Sequence, residues 1–247
     1  MEKLFPIDYL SIQLDFAQRT TELTGVTLYR ALRNYTSIGR MANLPHSTPD
    51  THPFMTEMQQ LVLATKYGHL LGKLYYQYTE YALNPFPKED RLNSGHFQLS
   101  IPDARAVCHV HFESNTSAHP LRTENLSQRR QELSQLFQIL KNSEHAKVVK
   151  EIGGFSWLYN LKAYCSLFPP DYTASGKTKD WYGSLARWGQ FLNNDYTIRE
   201  DVAREFRQKM NNAQTVDDLK TSFRFSVLET RASVELFYNF YRIINPT

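Results

Sequence analysis

Cysteine, long apolar runs and charge of a single sign are what this sequence lacks. Two cysteines in 247 residues exclude a disulfide scaffold and fit a reducing compartment. No stretch approaches the roughly 18 consecutive apolar residues that a membrane helix needs, because Lys, Glu, Gln or Arg interrupts the apolar runs every few residues. The opening MEKLFPIDYLSIQLDFAQ has one lysine but no apolar segment of about 7–15 residues and no small-residue cleavage site. The expected location is cytoplasmic, with no membrane partner, although an exported substrate of a signal-independent secretion route would read the same. A formal charge of +3 is far from the signature of polyanion binding, so no nucleic-acid partner is expected. Low-complexity tracts and internal repeats are absent as well.

Aromatic residues are abundant instead. The chain holds 15 Phe, 15 Tyr and 3 Trp at a mean hydropathy of only -0.50. With 41% hydrophobic residues it has ample material for a core, which excludes a disordered chain.

Apolar spacing near 3.6 predicts two helices over residues 8–42, broken at Gly25, and one long helix over 54–83 that ends at Asn84-Pro85. The period then switches to two. Phe97, Leu99 and Ile101 alternate with His96, Gln98 and Ser100; Cys108, Val110 and Phe112 alternate with His109, His111 and Glu113. This predicts a β-hairpin over about 95–113 with Leu99 opposite Cys108 and Phe97 opposite Val110. A helix over 124–141, strands near 147–155 and 223–230, and further helices over 181–192, 199–211, 216–220 and 234–244 complete the pattern. The expected fold class is α+β: a small antiparallel sheet covered by many helices, in a single domain 1–247, with 1–84 as a helical N-terminal subdomain.

In that hairpin register His96 faces His111, while His109, His111 and Glu113 project from one side of a strand. Three imidazoles and a carboxylate form a ligand set suited to zinc or non-haem iron; the alternative is the solvated face of a hairpin. The mixed charges Arg129, Arg130, Glu132, Lys141, Glu144, Lys147, Lys150 and Glu151 read as a solvated helix face.

The densest aromatic block spans residues 153–172, GGFSWLYNLKAYCSLFPPDY. Two glycines there allow close backbone approach to a ligand, and Tyr and Trp suit a pocket wall. Ser156, Trp157, Tyr159, Asn160 and Tyr164 are the candidate ligand-binding residues; the competing reading is an aromatic core. Gly154-Phe155-Ser156-Trp157-Leu158 lacks the second glycine of a nucleophile elbow. Ser175-Gly176-Lys177-Thr178 has Asp171 where a phosphate-binding loop needs glycine.

The order hairpin, helix, strand, then Asn160-x-x-Ala163 with Tyr164 and Phe168 is similar to the later half of acetyltransferases of the GCN5-related fold, over residues 95–170. That resemblance implies acyl-group transfer. The string SWLYNLKAYCSLFPPDY at 156–172 also resembles a segment of a group of uncharacterised bacterial proteins, which implies a bacterial source and no mechanism. Three functions follow. The first is a small-molecule site walled by the aromatic block, in a group (acyl) transferase. The second is a metal-dependent enzyme using His96, His109 and His111. The third is an interaction protein or homo-oligomer whose tyrosines serve an interface. No cofactor is specified by any motif.

Overall fold

A computed structural model describes residues 4–45, 47–83, 90–113, 119–180 and 183–243. The chain divides into two compact units, and it enters each of them twice: residues 1–88 and 180–225 form one, residues 89–179 and 226–247 the other.

The first unit is helical. Helix α1 (Ile7–Thr24) stops at Gly25, which takes the left-handed conformation with φ of 72°, a position that costs glycine little. α2 (Leu28–Tyr35) is capped by Thr27, whose side chain accepts from the Arg30 N–H. α3 (Ile38–Met41) follows. The single helix expected over 54–83 is two, α4 (Pro53–Ala64) and α5 (Tyr67–Ala82). Thr65 and Lys66 between them are extended, and the Thr65 N–H closes the first helix on the Leu61 carbonyl. Apolar spacing does not register such a break, because both helices keep a buried face on either side of it.

The second unit begins after residue 88 with β1 (Arg91–Ser94), β2 (Phe97–Ser100) and β3 (Val107–Phe112). α6 (Leu126–Asn142), β4 (Glu151–Ser156), α7 (Lys162–Cys165), α8 (Pro170–Ala174) and β5 (Lys177–Lys179) follow. The chain then returns to the helical unit for α9 (Leu185–Trp188), α10 (Glu200–Asn212) and α11 (Val216–Thr221). It re-enters the sheet unit with β6 (Val227–Ser233) and α12 (Val234–Tyr241). The start of the helix expected over 181–192, at Trp181, the end of that expected over 234–244, at Ile244, and the break at Asn84-Pro85 lie outside the described residues.

The class is α+β, as the alternating periods indicate. The sheet is larger than expected, with six strands in the order β1-β2-β3-β4-β6-β5. Its pairs are antiparallel except β3 with β4, which α6 joins as a crossover. Of the strand expected near 147–155, residue 147 belongs to a tight turn over 144–147, and β4 begins at Glu151.

One face of the sheet carries the core of its unit. Phe97, Leu99, Cys108, Val110 and Ile152 pack there against Leu133, Leu136, Phe137 and Leu140 of α6 and against Phe237 and Tyr241 of α12. In the helical unit Phe16 of α1 is the centre, with Trp188, Phe206 and Phe223 at ring distances of 5.5, 5.8 and 5.4 Å. Among the described residues no helix is long and apolar enough to cross a membrane.

Candidate functional site

The hairpin register differs from the one expected. Phe97 lies opposite Phe112, Gln98 opposite His111 and Leu99 opposite Val110, a shift of two residues. The cause is the connection. Asp103 organises it: its carboxylate accepts from the backbone N–H of Arg105 at 2.8 Å and of Val107 at 3.0 Å, and Ala106 takes a positive φ of 62°. A shift of two preserves which residues face the core but changes who meets whom. His96 now lies beside Glu113, whose N–H donates to the His96 carbonyl at 2.9 Å.

The three histidines are therefore not one cluster. His96 sits on the α6 side, with its ring stacked on Phe112 at 6.0 Å and its imidazole against Arg129 and Glu132. His109 sits on the opposite face, because a Cβ added to Gly153 would come within 2.8 Å of its Nδ1, while a Cβ added to the next residue, Gly154, would overlap the Tyr159 and Tyr172 hydroxyls of the core. His111, two residues along from His109, shares that outer face. Among the described residues no group of three or more His, Cys, Asp or Glu side chains is placed to hold a metal ion. The set His96, His109, His111 and Glu113 is thus not brought together, since the predicted pairing of His96 with His111 depended on the wrong register.

Burial holds His109 below the usual imidazole pKa. Asp103 opposes that shift and Arg231 and Arg105 reinforce it. His96 is lowered by burial first and by Arg129 second, with Glu132 acting the other way. Arg129 can only donate, so its contact to His96 Nδ1 requires that nitrogen to be unprotonated. Burial and the Arg129 guanidinium thus favour the neutral imidazole, against the Glu132 carboxylate 3.5 Å away. Glu132 is satisfied by Arg129 Nη2 at 2.7 Å and by the His96 backbone N–H at 3.1 Å.

Arg129 and Glu132 are only 3% and 8% exposed, which corrects the expectation of a solvated face. Their position was legible in principle: residues 129, 133, 136 and 140 are spaced along one face of α6, and three of the four are leucine.

The aromatic block builds the corner where β4 turns into the helices. Ser156 Oγ accepts from the Leu158 N–H at 3.1 Å, and Asn160 Nδ2 donates to the Trp157 and Ser226 carbonyls at 2.7 and 2.8 Å. These two residues staple the turn. Trp157 is half-buried within it. Tyr159 and Tyr164 lie in the core, where burial pushes the Tyr159 phenol up to about 12 and the Tyr164 and Tyr172 phenols well above their ordinary value. The Tyr159 and Tyr172 hydroxyls bond at 2.7 Å, over the space that Gly154 leaves open. The close approach expected of a ligand at the two glycines is made instead by side chains of the chain itself, His109 at Gly153 and Tyr159 and Tyr172 at Gly154.

The same corner contains an opening in the sheet. The β3–β4 ladder runs from Val107 opposite Glu151 to Val110 opposite Gly154 and stops. Yet β3 continues to Phe112, paired with β2, and β4 continues to Ser156, paired with β6. Beyond Gly154 the two parallel strands are thus joined to their outer neighbours and no longer to each other. Tyr164 bridges the core side of this notch, in edge contact with Phe112 at 5.7 Å and Tyr159 at 5.2 Å. His96 stacks on Phe112 at one border; Ser156 and Trp157 stand at the other.

The helical unit has surface clefts of its own. One of about 310 Å³ is lined by Asp15, Arg19, Glu22, Tyr67 and Arg207, whose charges pair among themselves, Arg19 with Glu22 and Arg207 with Asp15. Another of about 530 Å³ lies between α4 and α5.

Comparison of the chain with protein-family models, with curated proteins and with solved structures finds no match.

Proposed function

We propose that the notch between β3 and β4 binds a small molecule with an extended, amide-bearing arm, and that the protein is a group transferase moving acyl groups carried on such an arm. The observation that supports this reading is the early end of the ladder at Val110 and Gly154. Parallel strands that part while each stays paired on its far side present two facing backbone edges. A flat chain with alternating amide N–H and C=O groups complements such edges as an added strand completes a sheet. Ligands of sheets with parallel strands lie at the carboxyl ends of those strands, which is where this notch opens. Pantetheine, two amides in a flexible chain ending in a thiol, is the acyl carrier that fits the description.

Residues 125–131, at the start of α6, contain no glycine, so the arm rather than a diphosphate carries the recognition. Acetyl-pantetheine and acetyl-CoA should both raise the melting temperature and slow hydrogen exchange in peptides covering 111–113 and 155–157, while ATP should do neither. Release of free thiol with an amine acceptor would then report transfer. Absence of protection in those peptides at millimolar acyl-pantetheine and acyl-CoA would refute the reading.

A further inference from the structure

The exposed side of α5 is patterned as if a second helix lay on it. Its inner face, Leu70, Leu74, Gln77, Tyr78 and Ala82, is buried. Its outer face presents His69, Lys73, Tyr76, Glu80 and Leu83, all exposed, at spacings of four, three, four and three. That is the seam period of an antiparallel or parallel helix pair. Tyr76 and Leu83, the latter capping the end of the helix, are 68% and 59% exposed.

The seam is also close to palindromic. Reversed about Tyr76, it falls on itself to within one residue, or about 1.5 Å along the axis. Lys73 then meets Glu80, His69 meets Leu83, and Tyr76 lies on the axis. Gly72 adds open space beside the seam, since nothing stands within 4 Å of a Cβ built there. The cleft between α4 and α5, with Leu61, Ala64 and Tyr76 in its lining, lies along the same face and can receive a ridge of side chains from a partner.

We infer that this face is a self-association surface: two copies of the chain pack α5 against α5 about a two-fold axis at Tyr76, with Lys73 of each copy against Glu80 of the other. A two-fold interface is self-complementary by necessity, and a stripe whose cation and anion exchange places on reversal meets that requirement. The charge pair occurs twice, so each charge reversal acts twice.

Sedimentation of the full chain over a micromolar range tests this. The unaltered protein should show a reversible dimer. Tyr76→Glu should weaken it on the order of thirtyfold or more, as loss of a central aromatic anchor does. Lys73→Glu and Glu80→Lys should each weaken it, and the double exchange Lys73→Glu with Glu80→Lys should restore it; circular dichroism confirms that each variant is folded. A monomer throughout the range, a dimer indifferent to Tyr76→Glu, or a double exchange no tighter than the single ones would each overturn the inference, including the case in which the face serves a different protein.

Discussion

Gly154 shows how a single missing atom can be a structural requirement. A Cβ there would overlap the hydroxyls of Tyr159 and Tyr172, two buried groups that bond to each other at 2.7 Å. Gly154→Ala should cost about 1–3 kcal/mol in urea denaturation, the usual range for overpacking. Removing the obstructing oxygens with Tyr159→Phe and Tyr172→Phe should return part of that loss, so the double-mutant cycle has a non-zero coupling; additive losses would contradict the clash. At the same scale, His96 and His109 are both held below the ordinary imidazole value, by burial above all. The unfolded chain takes up protons at about pH 6.5 that the folded chain resists. Stability should therefore fall as the pH drops below about 6.5, in the direction that linkage requires when the unfolded state binds more protons. Urea midpoints at pH 7.5, 6.5 and 5.5 would show it, and His96→Gln with His109→Gln should flatten the profile. A midpoint that is constant or rises on acidification across that interval would be inconsistent with half-buried imidazoles that resist protonation.

At the scale of elements, periodicity and faces were readable while pairing was not. The alternation in residues 97–112 assigns Phe97, Leu99, Cys108 and Val110 to the core, and all four are buried there. Which residue opposes which was set by the Asp103 turn, whose side-chain and positive-φ geometry has no signature in hydrophobic pattern. The expected pairing of His96 with His111 was lost at that step, because a shift of two leaves burial unchanged and reassigns the polar neighbours. α6 illustrates the opposite error, in which charge type outweighed position. Arg129 and Glu132 bond at 2.7 Å with side chains 4% and 10% exposed, inside a helix face otherwise built from leucine and phenylalanine. Arg129→Met should be destabilising by about 3–5 kcal/mol, since it strands the Glu132 carboxylate in a poorly solvated place. Combining it with Glu132→Met should cost less than Arg129→Met alone. A double variant at least as damaged as the single one would mean that the pair contributes net stability beyond satisfying each other's charge.

At the scale of the molecule, the order in which the chain visits its two units governs which pieces can fold. The composition and the helix-rich start of the chain suggested a helical part ending near residue 84, but such a piece is incomplete. The helical unit closes only when residues 180–225 return to it after the sheet unit has been started. Its central ring, Phe16, is packed by Trp188, Phe206 and Phe223, and the Arg19 guanidinium at the end of α1 donates to the Ala213 carbonyl, all from the later segment. That dependence joins residues far apart in sequence, so no local pattern announces it, and contacts of such separation form late in folding because the loop between them must close first. A fragment of residues 1–88 should therefore unfold without a cooperative transition, its α1 face having lost three of its aromatic neighbours. Supplying residues 180–225 as a separate peptide should restore a sigmoidal melt by calorimetry, and Phe206→Ala in that peptide should abolish the rescue, because a buried phenylalanine at the centre of a core is worth about 3–5 kcal/mol and the re-formed interface is the whole source of the stability. A cooperative melt from residues 1–88 alone would show that α1, α2, α4 and α5 suffice as a core, and that the returning segment is an accessory to a fold already made.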